Sequence, residues 1–463
     1  MNTHVVILAA GKGTRMKSAR PKVLHRVAGQ PLIDHVLACA AAVQPTTTTV
    51  VIGHQAATLT AALAGHPGLT FVVQEPQLGT AHALMTTESA LAGQTGVLVL
   101  LSGDVPLLTA RTLQTLVERH GTTGAAATVV TAVVDQPRGY GRIVRTGEQI
   151  ARIVEEKDAS PAEREIREIN SGIYAFSLGG LFDAVRSIAA ENAQKEYYLP
   201  DLVAIYRQRG LIVETVTVSN PDEIRGINSR SELAAVSRIV RDQKTAELMA
   251  SGVTVEDPAT AYVDAAVTVG TDTILHPGVS LEGTTTIGAS CEIHSGARIV
   301  DSRIGDRVTI LNHCVITNAV IGDDVSVGPF AHLRNDSELR AKAKVGNFVE
   351  LKKTVLGAGS KANHLAYLGD ATIGEKVNIG AGTITCNYDG VTKHQTVIED
   401  GAFVGSDSQL IAPVTIGKGA YVGSGSTIRE DVPAGALAVT AGKQRNIDGW
   451  VERKKGSGQK AKG

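Results

Sequence analysis

The sequence predicts two architectures in series: an α/β half built on a mostly parallel sheet, then a parallel β-helix of hexapeptide repeats. Three observations carry this. Residues 1 to about 228 alternate short apolar runs with amphipathic ones. From near Val263 to about Ile428 a branched apolar residue recurs every six positions, usually followed by Gly or another small residue. Between the two lies a charged stretch with a single apolar stripe. Six is neither the helical nor the strand period. It marks a solenoid in which each six residues form one short strand and a turn, and three such units close a triangular coil.

The rhythm runs through Ile287, Ile293, Ile304, Ile310, Ile321 and Val327, and resumes through Ile373, Ile379, Val404, Leu410, Ile416 and Val422. The five-residue steps from Ile299 to Ile304 and from Ile316 to Ile321 are slips. The branched residue should point inward and stack on its counterpart one coil below, and the small residue after it allows a tight corner. Hydrophobic content of 43% with only 3% aromatics suits such a core of stacked Ile, Val and Leu.

At 463 residues the chain suggests two or three domains. A formal net charge of -1 points to no nucleic-acid or membrane partner. The first apolar run is cut short by Gly11 and Lys12, so it does not read as a signal peptide, and no run is long enough to span a membrane. Cys39, Cys291, Cys314 and Cys386 lack metal or disulfide spacing, which implies a reduced, cytoplasmic setting.

In the first half, strands are expected at Val5–Ala9, Val50–Ile52, Phe71–Val73 and Val97–Leu101. Helices are expected at Pro31–Val43, Ala56–Ala64, Thr80–Leu91 and Thr109–Arg119. In such sheets ligands bind beyond the carboxyl ends of the strands. After the first strand comes Leu8-Ala9-Ala10-Gly11-Lys12-Gly13-Thr14-Arg15-Met16, with Lys22 following. Small residues let backbone N–H groups approach phosphate oxygens, and Lys12, Arg15 and Lys22 add positive charge. The spacing is neither that of a Walker A loop nor that of a dinucleotide fingerprint.

After the third strand, Gln74 offers an amide that matches a uracil edge. Gly79-Thr80 opens the next helix, and an N-cap role for Thr80 has equal weight. After the fourth strand, Ser102-Gly103-Asp104 puts a carboxylate where magnesium takes one or two protein ligands and completes its shell with phosphate and water. The competing reading is a loop carboxylate capping the helix near Thr109. Tyr140-Gly141-Arg142 reads as a turn. Glu155 follows a strand at Ile150–Val154, and Asn170-Ser171-Gly172 precedes one at Ile173–Phe176. Gly141, Glu155 and Asn170 offer groups for sugar hydroxyls or an acetamido group, although spacing alone makes them ordinary loop residues.

Leu8–Met16 with Lys22, Gln77-Leu78-Gly79-Thr80 and Gly103-Asp104-Val105-Pro106 closely resemble the sugar-phosphate nucleotidyltransferases. The resemblance implies a Rossmann-like mixed sheet that binds UTP. It also implies a reaction in which a sugar 1-phosphate displaces pyrophosphate. By it, Asp104 corresponds to a Mg2+ ligand and Asn228 to its partner, with Arg15 and Lys22 neutralising charge.

Ser229 to about Ser251 carries Leu233, Val236, Val240 and Leu248 on one stripe and reads as a connecting helix capped by Asn228 or Ser229. The expected domains are 1–228, the linker 229–252, and 253–463. In the last of these the rhythm fails at 331–372 and again at 385–396, which suggests two insertions leaving the prism. Basic, aromatic and histidine residues gather in these stretches, and loops on a rigid scaffold are where function usually sits. His364 is the candidate base, since an imidazole suits proton removal near neutral pH. It should face a neighbouring coil and not the interior. Arg334 and Lys352 are candidates for a sugar phosphate, and Asn378 and Asn387 for sugar hydroxyls.

Asn347–Lys353, His364–Asp370 and Asn378–Gly390 resemble the acetyltransferase half of the bacterial bifunctional N-acetylglucosamine-1-phosphate uridylyltransferase/glucosamine-1-phosphate acetyltransferases, and the resemblance covers nearly the whole chain. It implies a left-handed β-helix and a homotrimer with acetyl-CoA bound between neighbouring prisms. By it, His364 is the general base. Arg334, Lys352, Tyr367, Asn378 and Lys393 bind glucosamine 1-phosphate, and Ala381, Asn387, Tyr388, Ser406 and Ser424 line the acetyl-CoA site. Two departures stand out: Ala441 replaces a common Arg, leaving Lys443 or Arg445 to grip coenzyme A phosphates, and Ser424 replaces a commoner Ala. The stretch from Gly449 through Arg453-Lys454-Lys455 and Lys460 reads as a polar, basic tail. The competing functional reading is a monofunctional nucleotidyltransferase that uses the β-helix only to trimerise.

Overall fold

The computed structural model describes residues 2–440 and 442–459, with side chains up to Lys454. Ala441, the Lys455 side chain and Lys460 lie outside the described residues. The chain divides into two compact units, 1–241 and 242–463. The division falls within the helix Arg230–Ala250.

In the first unit the main sheet runs in the order Val213–Val218, Ala127–Val133, Glu168–Ser177, Val97–Ser102, Thr3–Leu8, Thr47–Ile52 and Leu69–Val73. Glu168–Ser177 is antiparallel to both its neighbours. The remaining neighbours pair in parallel, so the sheet is mixed. Its central strands bury both faces. Val6, Leu98 and Leu100 face one core, and Val5, Ile7 and Val99 the other. Their near-continuous apolar runs follow from helices covering both sides.

The second unit is a prism whose three faces are parallel sheets of eleven, ten and nine strands. Leu275, Ile293, Ile310, Val327 and Val345 stack in one inward column through successive paired strands, and all are buried. The five-residue slips do not break register: Ile287, Ile304 and Ile321 remain aligned across three coils.

The stretch 331–372 is not an insertion. His332–Leu333, Ser337–Leu339, Lys344–Asn347, Glu350–Lys352, Val355–Leu356, Lys361–His364 and Tyr367–Gly369 are regular prism strands. The inward positions are Leu333, Leu339, Val345, Leu351, Leu356, Ala362 and Leu368, every one buried. Leu333, Leu339, Leu351 and Ala362 fill interior positions here without a following glycine, so the rhythm is muted but present. Within 385–396 a loop does leave the prism. Ala371 pairs with Thr396, and the chain from Asn387 to Gln395 is extra. The Asp389 carboxylate ties it by accepting from the Thr392 and Val391 N–H groups at 2.7 Å each. These bonds and the His394 side chain hold Asp389 well below the usual carboxylate range.

Several local expectations change. Asn170-Ser171-Gly172 does not precede a strand; it forms an irregularity inside Glu168–Ser177. Thr80 is not an N-cap. Gly79 holds that position, and the Thr80 hydroxyl accepts from Leu199 N at 3.1 Å. Trp450–Gln459 of the tail is helical, with the Lys454 ammonium 4.7 Å from the centre of the Trp450 ring.

Because Leu351 is fully buried in a regular coil, Leu351→Ala should destabilise the β-helix by about 2–5 kcal/mol. Val391→Ala in the protruding loop, at a residue 86% exposed, should change stability by less than about 0.5 kcal/mol. Equilibrium urea unfolding of the two variants checks this; a neutral Leu351→Ala would return 331–372 to the status of an insertion.

Candidate active sites

The sheet order reverses between Thr3–Leu8 and Val97–Ser102, which pair with Leu8 opposite Ser102. Loops leaving these two carboxyl ends diverge and open a crevice. A cleft of about 300 Å³ opens there, lined by Leu8, Ala9, Ala10, Gly11, Lys22, Gln74, Gly79, Thr80, Ser102 and Asp104. Gly103 lies between the last two, and its N–H donates to Leu8 O at 3.0 Å. Gly13 sits at φ 60, and a Cβ there would lie 2.8 Å from Lys22 Cβ, so only glycine lets Lys22 approach. Arg15 is exposed on the turn Thr14–Met16 and lies outside the cleft lining.

Lys22 Nζ donates to Asp104 Oδ2 and, at 3.2 Å, to Asn228 Oδ1. Asn228 is brought in by the Ile227 N–H, which donates to Asp104 O at 3.0 Å. The adjoining helix start is fixed reciprocally: Ser229 Oγ accepts from Glu232 N at 3.2 Å, and Glu232 Oε2 accepts from Asn228 N at 2.6 Å. The ammonium thus holds the point where two hard oxygen donors converge. One carboxylate and one amide oxygen, with room for phosphate and water, form a donor set that fits magnesium. Lys22 must swing aside for an ion to meet both oxygens. Asp104 does not cap the following helix, because Thr109 Oγ1 accepts from Thr112 N at 3.2 Å.

Gln74 is buried, and its amide nitrogen donates to Gly79 O at 2.9 Å beside His82 Nδ1 at 3.2 Å. What remains for a ligand is its carbonyl oxygen. Two polar cleft residues, besides the apolar Val23 and Ala83, escaped the site reading of the sequence. Gln77 Nε2 donates to Ala10 O at 2.7 Å, and Glu196 reaches the cleft from the segment that packs on Gly79. Gln77 was visible in the nucleotidyltransferase motif; Glu196 had no local signal.

Gly141, Glu155 and Asn170, which spacing could not join, do converge. A Cβ on Gly141 would stand 3.2 Å from Glu155 Oε1 and 3.4 Å from Asn170 Cβ. Asn170 Oδ1 accepts from Tyr174 OH at 3.0 Å and Gly172 N at 3.1 Å. Burial pushes the Glu155 carboxyl up, Asp201 and Asp158 push it further, and Arg142 opposes them.

On the β-helix the candidates fall into two groups. Asn347 and His364 pair across adjacent strands. The pairs Ala362–Ile379, Ile379–Val404 and Val404–Val422 then carry Ala381, Ser406 and Ser424 onto the same corner on successive coils. Asp407 N donates to Ala381 O at 2.7 Å, and Gly425 N to Ser406 O at 2.9 Å. His364 is exposed, with Nδ1 2.9 Å from Asn347 Oδ1. An amide oxygen only accepts, so Nδ1 carries the hydrogen and the neutral ring leaves its lone pair on Nε2.

The second group contains Arg334, Lys352, Tyr367, Asn387 and Lys393. Leu333–Leu351 and Lys352–Gly369 pairing puts Arg334 and Lys352 in one column. Gly369 stays bare beneath it: a Cβ there would meet Tyr367 Oη at 2.5 Å and Asn387 Nδ2 at 2.8 Å. Arg334 Nη1 donates to Glu350 Oε1 at 2.8 Å, Lys352 Nζ is 3.9 Å from Asp370 Oδ2, and Asn387 Nδ2 donates to the same carboxylate. Tyr388 stands exposed on the inserted loop, its hydroxyl donating to Gly390 O at 2.6 Å. Asn378 lies on the strand flanked by Lys361 and Phe403, apart from Arg334 and Lys352. One chain therefore divides the candidate acetyl-transfer residues between two faces.

Comparison with known proteins accounts for both units. Residues 5–169 match the MobA-like NTP transferase domain, 260–341 the GMPPB C-terminal domain, and 395–430 the bacterial transferase hexapeptide repeats. The chain is 50% identical over 454 residues to a protein of Trichlorobacter lovleyi named Bifunctional protein GlmU, covering 98% of this chain and 99% of that one. The same name belongs to relatives in Pelobacter propionicus (49% identical, 98% and 99% covered) and Heliobacterium modesticaldum (50%, 98% and 98%). The chain belongs to the bifunctional GlmU family. It is therefore a two-activity transferase, and the reading of the β-helix as a mere scaffold is not favoured.

The Lys352 ammonium beside Lys393 holds the Lys393 pKa below its ordinary value, chiefly through their side-chain contact, with Asp370 opposing. Removing one of two like charges relieves that pressure. Lys352→Met should raise the Lys393 pKa, as read by NMR titration of the side-chain ammonium; a fall or no change would separate the two lysines.

Proposed function

We infer that this chain makes UDP-N-acetylglucosamine in two steps, acetyl transfer on the β-helix and uridylyl transfer in the α/β unit. The observation that carries the assignment is the pairing of two unlike sites in one chain: a cleft at the switch point where Lys22 meets Asp104 and Asn228, and a histidine held by Asn347 with Nε2 open.

In the first step His364 Nε2 takes a proton from the ammonium of glucosamine 1-phosphate. The freed amine attacks the thioester carbonyl of acetyl-CoA; a C–N bond forms, the C–S bond breaks, and the coenzyme A thiolate leaves with a proton. Arg334, Lys352, Tyr367 and Lys393 grip the phosphate through charge-assisted bonds. Ala381, Asn387, Tyr388, Ser406 and Ser424 line the acetyl-CoA site, with a donor near Ser406 or Tyr388 steadying the oxyanion. Asn378 sits on a different face from Arg334, which supports a site completed between chains. An exposed apolar column supports association as a homotrimer. His313, Phe330 and Phe348 stack at 5.2 and 5.5 Å, with Leu365 next, and the last three are 49%, 56% and 62% exposed.

In the second step a phosphate oxygen of N-acetylglucosamine 1-phosphate attacks the α-phosphorus of UTP, and pyrophosphate leaves. The nucleophile is already anionic, so no base is required and catalysis rests on positioning and charge. Lys22, with Arg15 on the neighbouring exposed turn, neutralises phosphate. Gln74 meets the uracil, and Gly141, Glu155 and Asn170 meet the sugar and its acetamido group. Asp104 and Asn228 would hold Mg2+, which supplies further charge neutralisation between phosphates. The four free cysteines suit a reduced cytoplasm, where both cosubstrates are made.

His364→Ala should lower acetyl transfer about 10²–10⁴-fold and leave uridylyl transfer intact. Asp104→Ala should do the reverse. Separate assays of thiol release and pyrophosphate release check both; loss of both activities in either variant sinks the partition. Phe348→Asp should reduce the mass found by sedimentation velocity from that of three chains.

A further inference from the structure

The first coils of the β-helix carry a cluster that neither transfer reaction uses. Val255 pairs with Leu275, and Leu275 with Ile293, so Glu256, His276 and His294 occupy the same position on three successive coils. Glu292 lies on the strand beside His294. The His276 and His294 rings stack at 4.5 Å between centroids and 12° between planes. Both Nε2 atoms approach one oxygen, Glu292 Oε1, at 3.1 Å from His276 and 3.4 Å from His294. His276 Nδ1 is 3.0 Å from Glu256 Oε2.

Hydrogen bonding alone leaves a conflict here. A neutral imidazole has one N–H, yet His276 stands between two carboxylates, so one of its nitrogens must face an acceptor as an acceptor. Protonating the ring would cure that for His276, at the cost of placing an imidazolium face to face with its neighbour. A metal cation at the Nε2 side resolves the conflict at His276 and can take the Nε2 of both rings. We propose that His276, His294 and Glu292 form a binding site for a divalent transition-metal ion of the zinc class. Glu256 accepts from His276 Nδ1–H and so fixes the tautomer that leaves Nε2 to the metal.

The dimensions agree. Zinc takes nitrogen and oxygen at about 2.0–2.2 Å in a tetrahedron, which places ligand atoms about 3.3 Å apart. The two nitrogen–oxygen separations bracket that value, and one ligand atom from each of the three residues lies within 4.8 Å of the others. The carboxylate behind a ligating histidine is the usual outer partner of such sites. Side chains of 21% and 24% exposure for the histidines and 44% for Glu292 leave the fourth position open to water. Spanning two coils near the start of the solenoid, the ion would clip together coils that a single earlier strand, Thr254–Val255, covers in the same sheet.

The test uses the full chain, stripped with chelator and held in excess Mg2+ so that the nucleotide cleft is occupied. Co2+ and Zn2+ are titrated by visible absorption and calorimetry, and unfolding is followed with and without Zn2+. The wild type should bind one more ion per chain than His276→Gln/His294→Gln, with a Zn2+-dependent rise in melting temperature that the double variant lacks. Glu256→Gln should keep the stoichiometry and weaken affinity about 10–100-fold. Glu292→Gln replaces the double variant if circular dichroism shows the latter misfolded. Equal stoichiometry and affinity in wild type and variant, or no binding at micromolar metal, overturns the proposal and leaves a protonated histidine network.

Discussion

Parallel pairing in the β-helix requires each coil to place its inward side chain directly over the one below, with strands about 4.8 Å apart. That vertical register is the constraint on which the second unit depends. Because Leu275, Ile293, Ile310, Val327 and Val345 must coincide, every outward residue between them is also placed over its counterpart. Columns of outward side chains follow from columns of packing. Asn347, His364, Ala381, Ser406 and Ser424 share a corner, and Arg334 stands over Lys352, because their buried neighbours stack. The chain departs from this rule in the loop Asn387 to Gln395 and uses the freedom to bring Lys393 against Lys352.

The α/β unit obeys a different constraint. Its cleft exists because strand order reverses beside the first strand, and the loops after Leu8 and Ser102 part there. Charge then organises the opening. Lys22 bridges Asp104 and Asn228, two residues far apart in sequence that the Ile227 N–H draws together. The two units thus place their lysines differently, with one lysine among carboxylate and amide oxygens in the first and paired lysines in the second.

Much of this was legible in sequence. The cleft residues from Leu8 to Asp104 sit just after predicted strands, and strand ends in such sheets are where ligands bind. The six-residue rhythm disclosed the solenoid. It misled at 331–372 because Leu333, Leu339, Leu351 and Ala362 fill inward positions without a following glycine. Basic, aromatic and histidine residues gather there at outward positions, while the scaffold beneath continues unbroken. Glu196 was invisible because nothing local marks it; only the packing of its segment on Gly79 brings it to the cleft.

By itself the sequence determined the local matters: which runs form strands, where small residues permit phosphate approach, the period of the prism, and the residue types able to carry each reaction. Those depend on neighbours within a few positions. Tertiary structure alone decided the juxtapositions. It set Gly141, Glu155 and Asn170 together, separated Asn378 from Arg334, and gave His364 its Asn347 partner. It also stacked His276 on His294 between two carboxylates. Such meetings are set by strand order and coil register, which sum over the whole chain and leave no mark at any single residue.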